Sequence, residues 1–596
     1  MRKLFTLFLL AGTVVSAQAQ IMLQPSQYTK VAKTVAIPEG NASSAARTAP
    51  GTPGPEYSTD NVTSVRIGNA SNAYGYLLNS QIQLSTVSSV GTNGGSVAFI
   101  HRQNWQNCGS ASVETGVLRY NMSNDGGQTW MPANGSCLGQ GPLNPDYTYP
   151  ARYPNATLFS NGAGTSVSNL NLAYVAPGIS GTTWSGAVYG TANDLGNTAG
   201  PVVNQEDYVS TGTAGIYRPI NIAQRMSGEF WSAVVNDANL LEIRKGMWNA
   251  TTSTIGWAVH QTVDMDPLLA VNADGNKYCS EGSVTFSPDG KNGYIIMSGD
   301  MLGGWDNCSN AIICEYNLST GDFDAPYEVS YNEFPCVPNF VSLWVDSTGA
   351  SLSDRGSMIN QTATVDSKGN LHIHGFIAPA AGNAGTLYPS FGTALYDLTK
   401  DPSGNWALIH ISDLSKSRCE IGSGTNAMTY FSFADITRSP DGKYLIYQWS
   451  DTDTTGIGNG AALDAPNLKG RIYDVLNNTI SPVIDWTATD ATWAGLARMP
   501  KAAEVALEPT TGTFVVPTSV IRFFGTPSIT DPDAAIKETD FYYFSDIQYT
   551  AAQATDAPEW CVNCNSVQIA SSATATATST CGAGVADGSI TIATPT

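Results

Sequence analysis

The stretch that decides the fold is SNDGGQTW, residues 123–130. It follows the apolar run GVLRYNM and reads Ser-x-Asp-x-Gly-x-Thr-Trp. A carboxylate at Asp125 can accept two or three N–H bonds across a tight turn, so donors that a hairpin would orphan are satisfied. Glycine at the following positions supplies positive φ, which a tight strand connection needs. Related strings recur downstream: SPDGK at 287–291, VDSKGN at 365–370 and SPDGK again at 439–443. Each is led by Asp, closed by Gly and set between apolar or aromatic strands. The turn is therefore expected to be a repeated building device.

Working outward, each such turn belongs to a pair of short apolar runs. GGSVAFIHRQN (94–104) precedes the opening motif, and NLNLAYVAPGISGTTWSGAVYG (169–190) and GEFWSAVVNDANLLEIRKGMW (228–248) follow it. Four further units, built around residues 282–300, 362–378, 434–452 and 504–521, complete a series of seven between about Tyr57 and about Thr550. Repeats of roughly 60 to 70 residues, each worth about four strands, fit propeller blades with long loops better than a sandwich. The expected fold is all-β, a β-propeller of seven blades, with six or eight as the neighbouring counts. Composition agrees: 58 Gly, 26 Tyr and 13 Trp, with only 13% charged residues, favour strands and turns over helices.

The ends read differently. MRKLFTLFLLAGTVVSAQA has two basic residues, an apolar run from Leu4 to Val15 and small residues at a cleavage position, which describes a secretory signal peptide over 1–19. The apolar run is short of the about 18 residues a membrane span needs, and no later segment approaches that length. Residues 20–56, rich in Ala, Ser, Gly and Pro, read as a flexible leader. The propeller is assigned to 57–555 and a linker with a short β fragment to 556–596. The expectation is an exported or cell-surface protein without membrane insertion.

A formal net charge of −21 repels phosphate backbones, so nucleic acid is excluded as a partner class. Ten cysteines in an exported chain point to disulfides. Cys108 and Cys137 flank the opening motif and are a candidate pair, whereas Cys279, Cys308, Cys314, Cys336 and Cys419 cannot be paired from sequence. Cys561 and Cys564 form a CxxC, read as a local staple at a domain end.

Residues 123–130 resemble the Asp-box (BNR repeat) of sialidase-type β-propellers. The resemblance is specific for one unit and weak for the others; GTTW (181–184) and DATW (490–493) are candidate eroded copies that lack its spacing. It implies that Ser123, Asp125, Gly127 and Thr129 build the turn and that Trp130 packs between blades. Family Asp-boxes lie on the rim away from the catalytic face, so Asp125 is read as structural. A sialidase-like glycoside hydrolase would also need an arginine triad, a Tyr-Glu nucleophile pair and an Asp acid-base. The nearest strings are Ala151-Arg152-Tyr153-Pro154 and Tyr217-Arg218-Pro219-Ile220, which follow the Asp-box where the family's first arginine precedes it. Arg152, Tyr217 and Arg218 are the catalytic candidates of that alternative. The region 571–596 resembles the opening strands of immunoglobulin-like repeats in large adhesins of gliding bacteria, cargo of the type 9 secretion route. It holds too few residues for a core, so the chain is expected to end in a stub or to continue as part of a longer surface protein.

Other polar residues were weighed for chemistry. His372 and His374 share one strand face, as two metal ligands would, yet without a visible third ligand they read as hydrogen-bonded surface residues. His101-Arg102 ends a strand and reads as structural. Asp451-Thr452-Asp453 and the loop 272–276 carry oxygen ligands suited to calcium, but Lys277 and Ser283 stand where an EF-hand needs Gly and Glu, so both read as solvated turns and no metal or other cofactor is assigned. The first functional expectation is a recognition or adhesion module that binds glycan or protein through one propeller face; the alternative is the sialidase-like hydrolase.

Overall fold

The computed structural model describes residues 35–36 and 57–58 and, with gaps, 62–562. The gaps are 72–75, 77–82, 89–93, 105–115, 132–142, 144–149, 161–166, 181–182, 198–200, 211–220, 237, 272–276, 278, 300, 303–309, 342–354, 382–385, 388–392, 415–417, 422–427, 432, 453–465 and 524–537.

Among the described residues nine sheets form. Two small ones, Arg418–Ile421 with Met428–Phe431 and Leu507–Thr510 with Thr513–Val515 and Gln548–Thr550, stand beside the other seven. Those seven, mainly antiparallel and built in the main from sequence-adjacent strands, follow one another along the chain. The first holds Leu84–Ser88, Gly95–Arg102 and Leu118–Ser123. The second, Asn155–Ser160, Leu170–Ser180, Thr183–Asn193 and Val202–Ser210, shows the full four-stranded meander. The third to sixth sheets begin with Asn221–Met226, Cys279–Phe286, Arg355–Val365 and Ala434–Arg438. The seventh combines Arg498–Ala502, Thr518–Phe523 and Thr539–Phe544 with Ser64–Ala70, a strand from the other end of the chain. Its register runs from Ser64 opposite Phe544 to Ala70 opposite Thr539.

Seven apolar clusters lie between consecutive sheets. Ile100 and Tyr120 of the first sheet meet Leu158 and Leu172 of the second. Phe159 and Tyr189 then meet Phe230 of the third. The series continues around Trp231 with Phe286, Ile296 with Ile373, Leu395 with Tyr447, and Ile446 with Phe544. The last cluster joins Phe541, Tyr543 and Ile67 of the seventh sheet to Leu84, Val97 and Phe99 of the first. A succession of meanders that packs face to face and returns to its start is a β-propeller.

This packing explains a departure from simple alternation. All eight residues of Gly95–Arg102 are buried. Val97 and Phe99 face the seventh sheet while Ala98 and Ile100 face the second, so both strand faces are covered and the run from Val97 to Ile100 is apolar without alternation.

Two pieces outside the meanders are tied in by pairing. Val35–Ala36 runs parallel to Thr386–Leu387, and Tyr57–Ser58 runs parallel to Ile484–Asp485. Glu559–Val562, within the stretch assigned to the linker, adds an antiparallel strand to Trp406–Leu414 of the fifth sheet. A disulfide from Cys561 to Cys336 fastens it. The reading of Cys561 as half of a local CxxC staple is thereby corrected. The strand carries Cys561 to a partner 225 residues away in sequence, a contact that no local spacing encodes. Cys279 and Cys314 are buried within the fourth sheet, and Cys419 falls in the strand Arg418–Ile421; Cys108, Cys137, Cys308, Cys564 and Cys581 lie outside the described residues. No helix among the described residues is long and apolar enough to cross a membrane.

Candidate functional site

The opening motif forms the turn that follows the third strand of the first sheet. Ser123 Oγ donates to Asp125 Oδ1 (2.7 Å) and accepts from Gly127 N (2.8 Å). Asp125 Oδ1 also accepts from Thr129 N (2.8 Å), and Oδ2 accepts the Thr129 hydroxyl. Partial burial disfavours the Asp125 charge, but these bonds outweigh it and the carboxyl is held below its usual range. Gly127 has φ +91°, and a Cβ there would lie 2.0 Å from the Tyr543 ring. Trp130 packs edge-on against Tyr543 (4.9 Å between centroids) and donates from Nε1 to Gly127 O. Tyr543 in turn donates to Gly126 O (3.2 Å). The turn therefore pins the first sheet to the last, at the seam where the ring closes.

The three related strings all join the first and second strands of their sheets. Ser287 and Ser439 each donate to their Asp at 2.7–2.8 Å and accept the backbone N–H of Asn292 or Tyr444 at 3.0 Å. Asp366 accepts from Lys368 N and Asn370 N. Because alternate connections of an antiparallel meander share one end, these turns and the opening motif lie on the same face of the ring. Neighbouring turns are fastened together there: Ser367 N donates to Gly442 O (2.9 Å) and Arg225 Nε to Gly290 O (2.8 Å). Residues 503–506 run from the seventh sheet across the axis. Val505 O accepts the Thr86 hydroxyl of the first sheet, Glu504 O accepts from Arg438 N of the sixth, and Glu504 Oε1 faces Thr285 Oγ1 of the fourth at 3.4 Å. The turn face is stapled shut.

DATW belongs elsewhere. Asp490 Oδ1 accepts from Thr492 N and Trp493 N, and Oδ2 from Val62 N (2.6 Å), in the connection that leads into the seventh sheet. It caps a turn on the opposite face, and so is not an eroded copy of the opening hairpin. GTTW likewise falls between the second and third strands of its sheet, with Gly181 and Thr182 outside the described residues.

The opposite face receives the ends of the second strands and the starts of the first. Here Arg102, 5% exposed at the end of its strand, comes near Arg152 at the start of the next sheet. Burial, and then the like charge of Arg152, lower the Arg102 pKa to about 9. Arg152 is placed by Arg152 N donating to Pro177 O (2.9 Å), beside Tyr153 at φ +47°. Arg119 donates from Nε to Gln103 Oε1 (3.1 Å) on the neighbouring strand. Of the three catalytic candidates the structure thus places Arg152 on this face, whereas Tyr217 and Arg218 lie outside the described residues. Arg102 had been read as a structural strand end. Its signal was the charge at the close of an otherwise apolar strand, but its neighbour is about fifty residues away in sequence.

The histidine pair is buried, which corrects the surface reading. His372 and His374 are 1% and 0% exposed because the sixth sheet covers that face of their strand. His372 donates from Nδ1 to Asp397 Oδ2 (2.7 Å) and from Nε2 to Asp366 Oδ2 (3.2 Å). Burial opposes its charge, but the two carboxylates prevail and raise its pKa to about 10. Asp397 also accepts the Tyr447 hydroxyl (2.7 Å), which ties the fifth sheet to the sixth. His374, two residues on, donates to Tyr396 O (3.2 Å) and is pushed down to about 4 by burial. This is an internal strut. Among the described residues no group of three or more His, Cys, Asp or Glu is arranged to hold a metal. The loop 272–276 and Asp453 are outside the described residues; beside that loop, Lys277 places its ammonium on Asp266 (2.8 Å).

Known proteins give a bounded comparison. No profile of a known protein family matches the chain, and no curated protein does. Among solved structures, the chain is similar to a Trypanosoma rangeli sialidase (10% identity, 78% of this chain and 60% of that one, TM-score 0.34). It is also similar to the GH93 α-L-arabinofuranosidase of Fusarium graminearum (9%, 69% and 99%, 0.33). A third is the Aleuria aurantia lectin, described as a six-bladed β-propeller with a fucose recognition mode (11%, 55% and 78%, 0.27). The strand order and the ring of interfaces define the fold of this chain independently of these likenesses.

Proposed function

We propose that this chain is an exported or cell-surface recognition module, a seven-bladed propeller of residues 57–555 that binds a glycan or protein ligand through the face bearing Arg102 and Arg152. The observation that carries the reading is the asymmetry of the two faces. One is fastened by Asp-led turns and crossed by residues 503–506; the other carries two neighbouring guanidinium groups on rigid strand ends, where ligand groups are well positioned. In this reading the motif at 123–130 is an Asp-box used as scaffold. Residues 1–19 direct export, 20–56 are a leader, and 556–596 connect to an adhesin-type repeat of a longer surface protein that follows the type 9 route. The acidic balance of the chain argues against nucleic acid.

The alternative, a sialidase-like hydrolase, is favoured by the same approach of Arg152 to Arg102, since a pair of guanidinium groups suits a sugar carboxylate. Tyr217 and Arg218 would then complete the site. The chain from residue 20 onward, applied to a glycan array and assayed with a fluorogenic sialoside, separates the two. Binding without turnover supports the recognition module, and turnover overturns it in favour of the hydrolase. Arg152→Ala should abolish binding of carboxylated glycans, and the melting temperature of the variant, measured beside it, separates loss of binding from loss of fold.

A further inference from the structure

Between the Asp-led turn of the first sheet and the hairpin that follows the seventh sheet's first strand lies a cavity of about 400 Å3. It sits on the turn face, away from Arg102 and Arg152. Its floor is made by Gly94 and Gly126, both with positive φ (+76° and +73°). A Cβ on Gly94 would approach only Pro509 at 3.6 Å and Leu507 and Gly126 at 3.9 Å. A side chain at Gly94 would stand beside Pro509 and Leu507, within the space. One wall is apolar, formed by Leu507, Pro509 and Val515. The other presents oxygen acceptors, the Asp125 carboxylate and the backbone of Ser545, under the exposed side chain of Gln128.

The cavity lining carries a negative charge and no positive one among its described residues. Asp125 is the single charged residue among its described lining residues. Glu508, which accepts from Gly512 N, and Asp546, which accepts from Thr63 N, flank it. A volume of this size suits a small organic group, and cavities that pair an apolar wall with a few acceptors orient amphipathic ligands. We propose that this cavity is a second binding site, for an organic cation with an apolar stem, an alkylguanidinium or alkylammonium group. The stem lies along Leu507, Pro509 and Val515, and the N–H donors reach the outer lone pairs of Asp125 and the carbonyl of Ser545. Arginine and lysine heads make this match with aliphatic stems that tolerate burial. The site does not depend on the recognition reading of the opposite face.

Two sources share this chemistry: a basic side chain of a protein partner and a free alkylamine. The test is saturation-transfer NMR on the full chain with n-butylguanidinium, its neutral counterpart N-butylurea, n-butylammonium, and the tripeptide amide acetyl-Gly-Arg-Gly. The expected result is saturable transfer to the cations and none to the urea. The signal should be lost in Gln128→Trp, whose indole fills the cavity from an exposed position. Val515→Lys, which supplies its own ammonium, should give the same loss if Gln128→Trp does not fold. Competition by the tripeptide assigns the protein source, and competition by butylammonium alone assigns the free amine. Absence of transfer to every cation, equal transfer to the urea, or an undiminished signal in both folded variants overturns the proposal.

Discussion

The two faces of this ring are made from the same strands and differ in what their connections must do. On the turn face four short connections are closed by a carboxylate and a glycine: Asp125 with Gly127, Asp289 with Gly290, Asp366 with Gly369, Asp441 with Gly442. On the opposite face charged residues such as Arg102 and Arg152 stand at the strand ends. The stapled face carries the recognisable sequence motif because a tight turn demands fixed residues at fixed spacing. The other carries the arginines to which we assign recognition, and these need only be brought together in space. A conspicuous motif in this chain thus reports on construction.

The comparison is broken most severely at Gly127. Its φ of +91° and the Tyr543 ring 2.0 Å from any Cβ leave no room for a side chain. Gly127→Val should cost about 3 kcal/mol or more, since it combines backbone strain with overpacking at a covered interface. Urea unfolding monitored by tryptophan fluorescence would show the lowered midpoint; a midpoint equal to that of the parent would mean that the turn does not close the ring.

Next in size is the disulfide. Cys336→Ser with Cys561→Ser should lower stability by about 2–4 kcal/mol, as removal of a long-range crosslink does. The loss should be matched by treating the parent with reductant, measured by calorimetry with and without dithiothreitol. Asp125→Ala is smaller, about 1–2 kcal/mol, the cost of leaving turn donors without their acceptor. Ligand binding at the Arg102 face should be unchanged in that variant, and a parallel loss of binding would contradict the division of labour between the faces.

What could be read in advance follows the same division. The all-β class and the succession of hairpins were legible because hairpin chemistry is local: SPDGK predicts its own turn from five residues. Closure of the ring was not, since Ser64–Ala70 pairs with Thr539–Phe544 and nothing in either segment names the other. Burial of His372 and His374 was hidden for a related reason. Alternation places both on one strand face, but only the arrival of Tyr447 from the sixth sheet covers that face. The proximity of Arg102 to Arg152 depends on which end of one sheet meets the next, a property of topology.

The finest test lies within one strand, where two histidines of equal intrinsic basicity are driven in opposite directions. The folded-state pKa of His372 is raised from 6.5 to about 10, so its contribution is fully present below pH 6.5 and is lost as pH rises through 10. His374 and His101 are lowered to about 4. The unfolded chain binds their protons first, so stability falls as pH drops from 6.5 towards 4. Together these groups predict a stability maximum near pH 6.5 with losses on both sides. Replacing His374 by Leu should lessen the acid limb, which His101 shares, and leave the alkaline limb as it is. Replacing His372 by Gln should flatten the alkaline limb and also change the acid limb, because it removes the cation that holds Asp366 below its usual range. Chemical unfolding from pH 4 to pH 10 measures both slopes. If His374→Leu altered the alkaline limb, the two imidazoles would be acting as one coupled group, and if His372→Gln left the alkaline limb unchanged, the assignment of His372 as the charged strut between the fifth and sixth sheets would fail.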